Sequence, residues 1–153
     1  MSFQEKSAWV SLLSTVFIFA SYFVTVFELT RLGHTDGGTV LGLFIGAVVT
    51  QMLVAGAVHI VFSTSGKSSD RLDVKDERDQ SIDLRGYRNA YVVITGWVWL
   101  AICGLATRVL VGEEAGDVFR LTPFVVGHVL LLGYVVSEVV RYATQVFYYR
   151  RGC

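Results

Sequence analysis

Apolar positions gather into four long runs, at about residues 9–29, 39–62, 87–111 and 123–147, with polar stretches between them. A run of about 20 apolar residues is enough for a helix to cross roughly 30 Å of hydrocarbon. The pattern therefore predicts an all-α fold. It is a four-transmembrane-helix bundle forming a single integral membrane domain over residues 1–153. The first run competes with a signal-peptide reading, because Lys6 gives it a weak positive flank. It is longer than a typical signal core and no small-x-small cleavage site follows it, so a retained span is expected.

The polar stretches differ in kind. Arg31 to Gly38 reads as a tight turn with Asp36 as a helix cap. Residues 63–86 form a longer cytoplasmic loop that opens with the linker composition STSGKSS. From Val74 it becomes dense in charge, free of Pro, and interrupted by Gly only at Gly86. Lys75 to Arg88 is expected to form a short amphipathic helix at the membrane surface, leading into the third span. Gly86 is expected to mark a bend there, since glycine costs a helix interior about 1 kcal/mol. Thr122-Pro123 is a cap followed by a first-turn proline, opening the fourth span.

Composition agrees with the pattern. Hydrophobic residues make up 53% of the chain and charged residues 17%, against about 25% charged in an ordinary soluble domain. Net charge is zero, so no global field points to nucleic acid. Cys103 and Cys153 fall at different depths and neither has a CxxC neighbour, so no disulfide, zinc site or redox pair is expected. Ser65-Gly66-Lys67-Ser68 lacks the glycine spacing of a phosphate loop.

Charge also orients the chain. Four spans place both termini and the 63–86 loop on one side. That side holds Lys6, Lys67, Arg71, Lys75, Arg78, Arg85, Arg88, Arg141, Arg150 and Arg151, ten of the thirteen Lys and Arg. Only Arg31, Arg108 and Arg120 fall on the other. The positive-inside rule then makes the termini and the charged loop cytoplasmic, in a cell membrane.

Ionisable residues inside spans are functional suspects. By helix rise, His59 lies roughly 5 Å and Glu138 roughly 12 Å from the cytoplasmic face, with Arg141 between them. Arg85 and Arg88 enter from the same side. Asp83, Arg85, Arg88, Glu138, Arg141 and His59 are therefore the candidate cluster, with Arg141 or Arg88 balancing Glu138. Charge neutralisation is the plainest reading of this cluster, and a proton relay through Glu138 and His59 the sharpest. His128 and His59 differ in depth by about 15 Å, too far to share a haem iron, and no cofactor or metal is expected. Glu28, Arg31 and Arg108 are expected to form an ion pair at the opposite rim. Gly42-x-x-x-Gly46 is expected to serve a close helix crossing within the bundle or between copies.

Asp76, Asp79 and Asp83 recur at i, i+3 and i+7, a geometry that places them near one face. With Glu77, Asp76 and Asp79 are candidates for docking a basic cytoplasmic partner. Asp76-Glu77-Arg78-Asp79, followed by Ile82, Arg85 and Arg88-x-Ala90-Tyr91, resembles a group of small prokaryotic four-helix membrane proteins of unknown function. Those proteins share a DERD-type cytoplasmic loop before the third span. The resemblance implies a prokaryotic inner membrane location and no established activity, cofactor or catalytic residue. The function expected is a non-enzymatic, multi-pass membrane protein that binds or regulates through its charged loop. Its partners would be the lipid bilayer, a cytoplasmic protein and, between copies, itself. The alternative is a small oligomeric transporter or channel using Glu138 and His59.

Overall fold

The computed structural model describes residues 3–33, 36–65, 77–111 and 123–151. Within these ranges the side chains of Phe3, His59, Pro123 and residues 62–65 and 108–111 are outside the description. The described chain is all-helical. It consists of α1 (Phe3–Arg31), α2 (Gly37–Ser65), α3 (Glu77–Val111) and α4 (Pro123–Arg151). All four are long and apolar enough to cross a membrane.

The helices begin and end where local chemistry directs them. Gly33 takes a φ of 75° just past α1, a left-handed conformation that suits glycine. Its amide and that of Leu32 bond back to Thr30 and Glu28. Asp36 caps α2 by accepting the Thr39 amide at 3.1 Å and the Thr39 hydroxyl at 3.2 Å, as the sequence predicts. Inside the spans, the hydroxyls of Ser14, Ser21, Thr25 and Thr50 bond back to carbonyls three or four residues earlier. These polar side chains therefore cost little in an apolar setting.

Packing runs in the order α2–α1–α4–α3: α1 lies against α2 and α4, and α4 lies against α1 and α3. Among the described residues α2 and α3 do not pack on each other. Many large apolar side chains face outward, while some polar ones are buried. Phe17 is 76% exposed and Leu100 73%, while Thr15, Ser137, Gln145 and Glu5 are buried. Large apolar groups turned outward with polar groups between helices are what a lipid solvent favours.

Two glycines set the α3–α4 spacing. A Cβ on Gly86 would sit 3.1 Å from the Arg141 carbonyl oxygen and 3.2 Å from Gln145 Cγ. Gly86 is thus a point of close approach in an unbroken helix, not a bend. Further along, the Trp97 ring lies directly over Gly133 and its indole N–H donates to the Val129 carbonyl at 2.8 Å. By contrast, a Cβ on Gly42 or Gly46 would meet nothing within 4 Å. The Gly42-x-x-x-Gly46 ridge makes no helix crossing within the described chain.

Candidate functional site

The charged start of α3 runs without a break into the third apolar segment, as the sequence leads one to expect. Glu77 to Val111 is one helix of 35 residues, about 52 Å at ordinary rise and well beyond the roughly 30 Å that hydrocarbon needs. Its first turns pack on the last turns of α4. Ile82 is 1% exposed, and Gly86 and Ala90 are also buried. These three recur every four residues and so form one seam.

Polar side chains line that seam. Asp83 accepts a hydrogen bond from the Gln145 amide at 3.0 Å. Asp79 sits against the Tyr149 hydroxyl. Asn89 donates to the Thr144 hydroxyl at 3.2 Å. The Arg85 guanidinium lies 4.7 Å from the centre of the Tyr148 ring, a cation–π contact.

Deeper along the seam, Arg141 Nη1 meets Glu138 Oε2 at 3.3 Å, with about a fifth of each side chain exposed (21% and 22%). The same guanidinium covers the Tyr87 ring at 3.9 Å and donates to the Tyr87 hydroxyl. Tyr142 flanks it at 5.1 Å. Arg141 Nε is buried without a hydrogen-bond partner among the described residues. The guanidinium is thus held by one carboxylate and two aromatic faces. That arrangement neutralises a charge pair where water is scarce.

The structure sorts the predicted residues. Asp83, Arg85, Glu138 and Arg141 all fall along the α3–α4 seam. Arg88 is exposed, and Glu138 takes its ion pair from Arg141, so Arg88 is not its counter-charge among the described residues. His59 belongs to α2, which packs on α1 rather than on α3, and its side chain lies outside the described residues. Asp76 is likewise outside them. Asp79 and Asp83 turn toward α4 and are engaged there, so they do not present an outward acidic row. No ion pair joins Glu28 to Arg31 among the described residues, and the Arg108 side chain is not described.

At about 3.6 residues per turn, the face opposite the Ile82–Gly86–Ala90 seam carries Glu77, Ser81, Leu84 and Arg88. All four are exposed, Leu84 by 68%. Arg78 and Arg85 flank this stripe and are exposed as well.

Several contacts escape sequence reasoning. Gln145 lies four residues after Arg141, which itself follows Glu138 by three. That polar spacing on α4 marks the seam and was readable. The α1 contacts were not. Gln51 donates to the buried Thr15 hydroxyl at 3.0 Å. Tyr22 bonds His128 at 2.9 Å. Arg150 reaches Glu5 at 3.9 Å and stacks over Trp9 at 5.6 Å. Each joins helices whose rotation the sequence leaves open. Among the described residues no group of three or more His, Cys, Asp or Glu is placed to hold a metal ion.

Fold and site together describe an all-helical chain whose four helices are long and apolar enough to cross a membrane, with a polar seam between two of them. Comparison with family models, curated proteins and solved structures returned no match.

Proposed function

We propose that the protein is a non-enzymatic, multi-pass membrane protein that acts by binding a cytoplasmic partner on the outward face of the first turns of α3. The observation that carries this reading is the exposed Leu84, set in a charged stripe with Glu77 and Arg88 on a rigid helix whose opposite face is pinned to α4. An apolar anchor within a charged rim is a form that a docking helix can recognise. With Asp79 and Asp83 turned inward and Arg85 drawn over Tyr148, the outward charge among the described residues is Arg78 and Arg88 against Glu77. The partner that fits is an acidic amphipathic segment, rather than the basic one expected from the aspartate spacing alone. Leu84→Asp together with Arg88→Glu removes both anchor and charge. This variant is expected to insert normally and to lose the partner at least tenfold in affinity. Unchanged partner binding by the variant would refute the reading.

The transporter alternative draws less support. The Glu138 carboxylate is engaged by Arg141, and His59 belongs to α2, which among the described residues packs mainly on α1.

The reading requires the start of α3 to face the cytoplasm of a cell membrane, as the Lys and Arg bias implies. Cys153 reports on this directly. In a Cys103→Ala background, a membrane-impermeant thiol reagent is expected to leave intact cells unlabelled and to label Cys153 once they are opened. Labelling of intact cells would reverse the orientation.

A further inference from the structure

At the end of the bundle opposite residues 3 and 151, α1, α2 and α4 line an open cleft of about 360 Å³, within the range of small-molecule sites. Val40, Leu41, Phe44, Phe124 and Leu131 give it an apolar wall. The polar side chains that line it are Tyr22, which is 5% exposed, and His128. The hydrogen bonds between these two fix what the cleft can offer. His128 Nδ1 lies 2.7 Å from the Phe124 carbonyl oxygen, which can only accept, so Nδ1 carries the proton of the uncharged ring. Nε2 then holds the lone pair, and the Tyr22 hydroxyl donates its one proton to it across 2.9 Å. Among the described residues the Tyr22 oxygen keeps an unused acceptor site, and it has no proton left to give. Rings on several sides hold the pair in place: Tyr22 and His128 stack at 5.8 Å between centres, and Phe124 lies 4.2 Å from His128.

We propose that this cleft binds a membrane-dissolved apolar molecule bearing one hydroxyl, which donates its hydrogen bond to the Tyr22 oxygen while the apolar body lies against Phe44, Phe124 and Leu131. The site favours an alcohol or phenol over the matching ether or ketone, because those bring only acceptors to an acceptor.

The test uses the full chain in phosphatidylcholine vesicles, with a diazirine-bearing long-chain alcohol as photoprobe. Competitors are 1-dodecanol and its methyl ether, at equal mole fraction in the membrane. Labelling is expected on the cleft faces of α1, α2 and α4, with the alcohol competing about fivefold better than the ether, as one hydrogen bond provides. Gly127 lines the cleft, and a Cβ there would meet nothing within 4 Å. Gly127→Leu is therefore expected to fill the space and to lower labelling of the cleft at least fivefold. A Tyr22→Phe/His128→Leu double variant is expected to lose the preference for the alcohol. Equal competition by alcohol and ether in the native protein would overturn the proposal, as would labelling spread evenly over all outward faces. The native competition decides the question even if a variant fails to fold.

Discussion

Gly133→Ala should destabilise the protein by about 2–3 kcal/mol, as overpacking of a close contact does. The indole of Trp97 occupies the space that the new methyl group would need. The ring is rigid, so the whole side chain has to move. In doing so it gives up its hydrogen bond to the Val129 carbonyl, worth about 0.6–1.7 kcal/mol between helices in a membrane. Gly127→Ala, six residues earlier on the same helix, is the matched control. It meets nothing within 4 Å and should be neutral or slightly stabilising, by up to about 1 kcal/mol of helix propensity. Unfolding in mixed micelles measures both, and Trp97 emission reports the displaced ring. Equal effects at the two positions would show that α3 and α4 do not pack through Gly133.

The second large effect belongs to the Glu138–Arg141 pair. Arg141→Leu leaves Glu138 without its counter-charge in an apolar seam and should cost about 2–4 kcal/mol. That is somewhat below the range for a fully buried pair, because about a fifth of each side chain is exposed. Glu138→Gln alone should cost only about 1 kcal/mol, since Arg141 keeps its contacts with Tyr87. The double variant should be more stable than Arg141→Leu by about 1 kcal/mol or more, a coupling that a double-mutant cycle isolates. If the two single effects simply add, the pair is not what holds this part of the seam. Glu138 would then have to be reconsidered as a pathway residue.

The four apolar helices and the Asp36 cap were legible because each depends on neighbours in sequence, while the Thr122 cap lies outside the described residues. Apolar run length set the four helices, and Asp36 and Gly33 set the turn between the first two. What stayed hidden was rotation about each helix axis. Asp76, Asp79 and Asp83 share a face, yet nothing local says whether that face meets water or α4. The answer lies in Ile82, Gly86 and Ala90, small or apolar positions between the charges that let α3 approach α4 closely and carry Asp83 in with them. Gly86 misled for the same reason. A helix glycine can mark a bend or a contact, and only the partner helix decides. The Gly42-x-x-x-Gly46 ridge is the converse, a contact motif with no contact inside the described chain. Tyr22 and His128 are 106 residues apart, and no spacing rule joins them.

These assignments lead back to the outward stripe of α3. Its inner face is used in holding the fold, so any recognition by the start of this helix falls to Glu77, Leu84 and Arg88. Site-specific photo-crosslinking in native membranes tests this most directly, with the reactive residue placed in turn at Leu84, on the outward face, and at Ala90, on the seam. Position 84 is expected to capture one discrete cytoplasmic protein through an acidic segment, with the adduct lost in Arg88→Glu, while position 90 yields only internal crosslinks to α4. If position 84 reacts only with lipid or with other copies of this chain, the stripe is not a docking surface and the proposed function is wrong.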